Sequence, residues 1–436
     1  MVLSKLLEKL ISSQLRNYLD DNGLLPPSQS AYRPAHSTET ALLKLTSDVL
    51  LSQDRGKLCL LCSLDLTAAF DTIDHDILVR RLHSSFGVSG TALSWLCSFV
   101  TGRSQTVIYG TSSSSPVSLP HGVPQGSVLG PLLFILYTSD LPSIAQQHHL
   151  TLQSYADDVQ FYGFCDPAAC VSLTERVSAC LDTLTSWFNS NRLQLNINKS
   201  DFMWCASNRR KRNLTLDNMC IEGQTPTLVS SFKCLGVIID SDLSFSSHVG
   251  KTVSSCFAVL RRLRSIRRCI SRNLLKLLVT SLVLPRLDYC ISVLHGIPNF
   301  QLRRLQSILN ASARLIFNSP RFSSAAPLLD TLRWLPVQKR IDFRLAVMAF
   351  NCRQGLAPKY LWDGITNVSS LSGRSRLRSS STAALVVPLV RHRTLGGRAF
   401  RSGAVRVWNS LPSSIANEQN PKNFKALLKA HFLPLE

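Results

Sequence analysis

Apolar positions recur along this chain with two periods, and the places where the period changes mark its elements. Leu3–Leu19 spaces its leucines at helical intervals with charges between them, which predicts an amphipathic helix. A turn bearing Gly, Pro and Ser follows to Ser30. A second helix is predicted after Ser37, which is placed to cap it, with Thr38 and Glu39 in its first turn, Thr40 at N3, and Leu42, Leu45 and Val49 on its apolar face. The run CLLCSLDLTAAF at Cys59–Phe70 predicts an apolar strand that ends near Asp65 and turns helical through Ala68, Ala69 and Phe70. A helix through Ala92–Phe99 leads to a turn and a short strand, Gln105–Tyr109.

In LPHGVPQGSVLGPLLFILY, Leu119–Tyr137, the residues Gly122, Pro124 and Gly126 predict a rigid loop, and Pro131 falls in the first turn of an apolar helix. LTLQSYADDVQFY, Leu150–Tyr162, reads as strand, tight turn, strand. Leu150, Leu152 and Tyr155 lead in, Val159, Phe161 and Tyr162 lead out, and Ala156 is small enough for the bend. Ala169–Asn189 predicts a helix with Leu173, Val177, Leu181 and Leu184 along one face; LQLNINKSDFMWC returns as a short strand, and Phe232–Asp240 as another.

From Ser247 the period is helical throughout, with arginines opposite the apolar stripes. Leu274–Pro285, the longest apolar run there, is interrupted by Lys276 and too short to span a bilayer. Trp334 sits in a turn before a further helical stretch, Ser369–Ser381 reads as a Ser and Arg-rich linker, and a turn centred on Trp408 precedes a final short helix.

Composition adds a direction to this pattern. A chain of 436 residues with 45% hydrophobic content buries more than one core, and excludes disorder over most of its length. The formal charge of +21 favours a polyanion, most simply nucleic acid, although an anionic membrane surface feels the same field. The surplus is uneven: residues 261–353 hold 17 basic and 3 acidic side chains, a net +14. NRRKRN at Asn208–Asn213 adds a further basic cluster. The thirteen cysteines lie scattered in apolar runs without paired spacing for zinc, and read as buried free thiols of a reducing compartment. The opening helix carries charges and fits neither a signal peptide nor a membrane span, so an intracellular location is expected, with nucleus and cytoplasm both open.

The candidate chemistry is acidic. Asp157 and Asp158 stand between apolar runs with no lysine or arginine nearby in sequence, and holding such charges against a packed sheet implies a metal or another special environment. A plain exposed acidic turn is the alternative. With Asp65 leaving an upstream strand, the set is the one needed to hold two magnesium ions for an in-line displacement by a 3'-hydroxyl. Phe70 is placed to press against a sugar or to fill the core, and Arg33 and Arg103 to meet phosphate or to serve as turn residues. In the glycine loop Gln125 can present an amide to a base pair or sugar, and Gly126 permits close approach of a nucleic-acid backbone. Lys199 can donate a proton to departing pyrophosphate or pair with its charge. Asp71, Asp74, His75 and Asp76 have ligand chemistry, but their spacing favours polar contacts at a helix terminus.

Six motifs in order carry a family resemblance: QSAYRPAHSTETALL at Gln29–Leu43, LDLTAAFDTIDH at Leu64–His75, GVPQGSVLGPLLF at Gly122–Phe134, YADD at Tyr155–Asp158, LNINKS at Leu195–Ser200 and CLGVIID at Cys234–Asp240. The chain resembles the reverse transcriptase of LINE-type, non-LTR retrotransposons over nearly its whole length. The resemblance implies an α+β right-hand polymerase with fingers, a palm whose antiparallel sheet carries the YADD hairpin, and a helical thumb. It implies partial fingers over residues 1–60, a palm with interleaved fingers elements over 61–240, a basic thumb over 241–330 and a carboxy-terminal extension over 331–436. It assigns Asp65, Asp157 and Asp158 to two Mg2+ ions, with Mn2+ as a substitute, and Phe70 to sugar discrimination. Gln125 falls in the template and nucleotide loop, Lys199 in the segment of general-acid or phosphate contact, and Arg33 in the early fingers. The implied partners are an RNA template, a DNA primer or target DNA, and dNTPs, with no membrane and an open oligomeric state.

Two departures accompany the match. Val159 and Phe161 replace the family's commoner Thr and Leu after the aspartates. The chain begins inside what resembles the early fingers, so a truncated form lacking the upstream endonuclease domain is expected. A catalytically inactive remnant that binds RNA or primer-template, and a helical interaction protein with a structural acidic hairpin, are the competing expectations.

Overall fold

The computed structural model describes residues 2–206, 214, 226–370 and 384–433. The basic cluster Asn208–Asn213 and most of the linker Ser369–Ser381 therefore lie outside the described residues. The fold is mixed α+β, with several short sheets and many helices. The chain divides into two compact units that interleave in sequence. One is drawn from Met1–Pro34, Leu60–Met203 and Leu214–Val229, the other from Ala35–Cys59, Trp204–Asn213 and Ser230–Glu436.

The first unit is built on a four-stranded sheet in the order Asp201–Cys205, Leu58–Leu64, Asp158–Cys165, Thr151–Tyr155. Leu60, Leu61, Leu152, Val159, Phe161 and Met203 are buried along it. Strands covered on both faces become nearly continuous apolar runs, which is why Cys59–Leu64 lacks clean alternation. The helix Cys170–Ser190 sinks Leu173, Val177, Leu181 and Leu184 completely, the face read from their spacing. The apolar helix Gly130–Tyr137, with proline in its first turn, is buried nearly all round.

In the second unit the helix Thr38–Asp54 opens with the reciprocal cap expected of Ser37. The Ser37 hydroxyl accepts the Thr40 N–H at 3.2 Å, and the Thr40 hydroxyl accepts the Ser37 N–H at 2.9 Å. That helix packs against the turn Gly396–Arg398 and the helix Phe400–Asn409, so residues from the two ends of the chain share one core. The basic helices follow as Ser246–Ile266, Arg272–Leu282 and Asn299–Phe317, joined through Leu260, Leu263, Leu305, Ile308 and Leu309. Trp334 leads into the helix Val337–Arg353. Among the described residues no helix is long and apolar enough to cross a membrane, and the twelve cysteines are free thiols, most of them buried.

Four local expectations are corrected. Residues 68–70 form a turn, with Ala68 at φ +46°, and the helix begins at His75. Gln105–Tyr109 is split between two small ribbons, Arg103–Gln105 with Val117–Leu119 and Ile108–Tyr109 with Ser112–Ser113. Phe232–Asp240 is a hairpin, Ser231–Cys234 with Val237–Asp240, because Leu235 and Gly236 both take left-handed φ and reverse the chain. Trp408 lies inside the helix Phe400–Asn409, where its ring is 1% exposed, rather than in a turn.

Candidate active site

Thr151–Tyr155 and Asp158–Cys165 pair antiparallel in a register that sets Tyr155 opposite Asp158. Only Ala156 and Asp157 are left to make the turn. Ala156 carries the left-handed φ of +58° that a two-residue turn requires and is buried, so a small side chain is demanded there. Asp157 and Asp158 are both exposed. Asp158 thus opens the outgoing strand while Asp157 occupies the bend.

The free edge of this hairpin is closed by the early segment of the chain. Ser30 donates its N–H to the Ser154 carbonyl at 2.9 Å, and Ser154 donates to the Ser28 carbonyl at 3.0 Å. Between them the buried Gln29 side-chain oxygen accepts the N–H of Ala31 at 2.9 Å and of Ala156 at 3.1 Å. One amide oxygen therefore anchors both its own turn and the bend carrying Asp157. Tyr32 follows, with burial first and the charge of Asp157 second raising its phenol above the usual value.

Asp65 is half-buried directly after Leu58–Leu64, the strand beside Asp158–Cys165. The LNINKS segment wraps its backbone. Asn196 donates to the Asp65 carbonyl at 2.8 Å, the Asp65 N–H reaches the Ser200 hydroxyl at 3.3 Å, and Leu66 pairs with Leu195. Lys199 ends the short turn Ile197–Lys199 and is exposed. Asp201, next along, has its carboxyl pushed up by burial. The three predicted aspartates offer only oxygen donors, which suits a hard divalent cation. Among the described residues no group of three or more His, Cys, Asp or Glu side chains is already drawn together to hold a metal.

The glycine loop lies on the segment after Asp65. Val123 donates to the Phe70 carbonyl at 3.0 Å and Gly122 to the Ile73 carbonyl at 2.8 Å. At Gly122, φ +79°, a β-carbon would fall 2.8 Å from the Asp71 carbonyl oxygen, so glycine is required for this approach. Gly126 needs its left-handed φ of +73° and faces open space. The Gln125 amide nitrogen donates to both Asp71 carboxylate oxygens, at 2.9 and 3.0 Å. Phe70 is half-buried and stacks on the buried Phe134, centroids 4.5 Å apart.

Both predicted phosphate arginines hold backbone. Arg33 donates to the carbonyls of Pro26 at 2.7 Å and Gln29 at 3.3 Å. Arg103 donates to Val100 at 2.9 Å, to His121 at 3.0 Å and to Gly122, and its desolvation lowers its pKa. The helix-terminal reading of the acidic stretch is met at Asp74, which caps the helix His75–Ser84 by accepting the Ile77 N–H, while His75 bonds the Gly122 carbonyl. Gln29 escapes the sequence reading, and Asp71, read there as a helix-terminal polar contact, instead holds the Gln125 amide. Each stands inside a motif already singled out, but its partner lies 127 or 54 positions away.

A family model described as reverse transcriptase (RNA-dependent DNA polymerase) matches residues 1–239. The chain is similar to the probable RNA-directed DNA polymerase from transposon BS of Drosophila melanogaster, 27% identical over 78% of this chain and 38% of that protein. It is also similar to that from transposon X-element of the same organism, 27% identical over 72% and 34%, and to that from the mobile element jockey of Drosophila funebris, 25% identical over 86% and 41%. It spans about two fifths or less of these relatives' length. Among solved structures, the telomerase of Candida albicans is similar with a TM-score of 0.39 at 14% identity, covering 78% of this chain and 56% of that one.

Proposed function

Because the chain belongs to the reverse transcriptase (RNA-dependent DNA polymerase) family, we propose that it is an RNA-directed DNA polymerase of the LINE-type, non-LTR class, extending a primer 3'-hydroxyl with dNTPs on an RNA template. The observation that carries this reading is the hairpin bend presenting Asp157 and Asp158, whose outgoing strand lies beside the strand Leu58–Leu64 that Asp65 follows. These three carboxylates would hold two Mg2+ ions, which supply charge stabilisation at the attacking and leaving oxygens. The chain's own residues do the rest. Gln29 sets the bend, Asn196 and Ser200 fix the backbone at Asp65, and exposed Lys199 meets the departing pyrophosphate as proton donor or counter-charge. Gln125 and Gly126 form the loop that receives template and nucleotide, and Phe70 backs the sugar with its other side against Phe134.

In this reading residues 1–60 are partial fingers, 61–240 the palm with interleaved fingers elements, and the basic helices within 241–330 the thumb. Its phosphate contact is the cleft of about 560 Å3 lined by Arg261, Arg264, Arg314 and Arg321, none of which pairs with a carboxylate among the described residues. The test is primer extension by the purified chain on a defined RNA template with Mg2+, beside Asp157→Asn and an anisotropy control for primer-template binding. Extension by the parent alone supports the polymerase. Salt-sensitive binding without extension replaces it with a binding remnant, and no such binding replaces it with a helical interaction protein.

A further inference from the structure

Phe70 spends one face of its ring on Phe134, whereas Tyr32, 45% exposed, keeps its ring at the surface next to the acidic bend. Two relations place it there. The isolated parallel bridge between Gln29 and Ser154 sets Gln29 alongside Ser154, and the Gln29 amide oxygen joins Ala31, the neighbour of Tyr32, to Ala156, the neighbour of Asp157.

The backbone of Tyr32 is held in the left-handed region at φ +54°, a conformation costly for a bulky side chain. The turn around it is over-determined. Ala31 is completely buried, Gln29 donates its own N–H to the Pro26 carbonyl at 3.1 Å, and Arg33 ties the carbonyls of Pro26 and Gln29. Core packing does not account for a strained aromatic whose ring then faces solvent. Strain kept at an exposed ring beside a charged bend is the pattern of a ligand-facing residue.

We propose that Tyr32 is a nucleotide-binding residue, its ring serving as a stacking platform for the base of a nucleotide bound at the Asp157–Asp158 bend. The inference rests on the polymerase reading and adds to it the group that grips the base. Stacking tolerates every base, so the contact sets nucleotide affinity and not base choice.

The experiment compares the parent with Tyr32→Phe, Tyr32→Ala and Tyr32→Gly. It reads KM and kcat for dNTP in primer extension, Kd for a fluorescent dNTP by anisotropy, and Tm. Tyr32→Phe should stay within about twofold of the parent. Tyr32→Ala and Tyr32→Gly should raise KM and Kd about tenfold or more, the effect of losing one base-on-aromatic contact, with kcat little changed. Tyr32→Gly, which relieves the left-handed backbone, should melt no lower than Tyr32→Ala. Unchanged KM and Kd in both truncations overturn the inference while leaving the polymerase reading intact. So does a loss in Tyr32→Ala that Tyr32→Gly restores, since the ring would then act only through the turn. If the parent binds the nucleotide without extending a primer, the Kd series still decides the role of Tyr32. A parent that neither binds nor extends overturns both readings.

Discussion

In the second unit, acids that go below the surface take their counter-groups with them. The Glu39 carboxylate, 6% exposed, accepts the Arg344 Nε–H at 2.6 Å, with Arg344 Nη2 also 2.6 Å away as an ion pair, and accepts two bonds from Ser292, through its hydroxyl at 2.5 Å and its N–H at 3.2 Å. Asp54 ends the helix Thr38–Asp54, where the helix dipole disfavours an anion, yet it accepts the N–H groups of Arg391 at 2.8 Å and His392 at 2.7 Å. Burial pushes the Asp54 carboxyl up, and these bonds, with one from Gly396 and one from the His392 ring, outweigh it and leave it below its ordinary value. In the first unit, Asp157 and Asp158 stand exposed on a bend whose backbone is secured by the Gln29 amide oxygen. Carboxylates of the first kind are there to complete a core; those of the second kind are offered outward.

That contrast breaks most visibly by swapping the expected readouts. Asp65→Asn, like Asp158→Asn, should lower kcat for primer extension by about 10²–10³, the effect of removing one preorganised charge from a transition state. Its Tm should stay near that of the parent, since a half-buried or exposed Asp→Asn change creates no cavity. Glu39→Ala should do the reverse. It strips partners from Ser292 and Arg344 and should cost about 2–3 kcal/mol by denaturant unfolding, moderated because Arg344 is 46% exposed. A Glu39→Ala chain with parental stability would remove the distinction.

A pH profile sharpens the same comparison. His295 is half-buried beside Arg398 and Arg406, and desolvation first and these cations second depress its pKa to about 4. The unfolded chain takes up a proton near pH 6.5 that the folded chain refuses until about 4. Stability is therefore full above about 6.5 and is lost as pH falls through that window, by up to about 3 kcal/mol. His295→Gln should flatten that slope in denaturant titrations, and an unchanged slope would show that another group causes it.

What could be read from the chain alone was local. The Ser37 cap, the hairpin around Ala156 and the apolar face of Cys170–Ser190 each declare themselves within a few residues, through cap chemistry, turn size or period. Residues 68–70 read as helix from sequence because alanine propensity says nothing of the left-handed turn that the backbone takes at Ala68. Gln29 was invisible as an anchor because a glutamine in a turn has no signal of its own until Ala156 is folded beside it. The sharing of one core by Ala35–Cys59 and the carboxy-terminal helices has the same cause: Ser47 accepts the Phe400 N–H at 2.9 Å across 353 positions. Within the site, motif order indicated which residues matter, while their support came from distant contacts.

Asp71 offers the smallest and most discriminating test of that support. It is an exposed acid whose carboxylate holds the Gln125 amide. A carboxylate only accepts, so the Gln125 nitrogen must face Asp71 and its oxygen is left as an acceptor for whatever donor the loop receives. The backbone bonds from Val123 to Phe70 and from Gly122 to Ile73 bracket Asp71 and survive its removal. Asp71→Ala should therefore leave Tm within about 1 °C, as a surface change worth under about 0.5 kcal/mol would. It should raise the dNTP KM several-fold, the loss of about 1 kcal/mol that an unfixed amide implies. Asp71→Asn, which keeps one acceptor oxygen, should fall between. Because the acid acts through the amide, Asp71→Ala combined with Gln125→Ala should be no worse than Gln125→Ala alone. Additive losses would mean that Asp71 touches the substrate itself and belongs with Asp157 and Asp158 among the outward-facing acids.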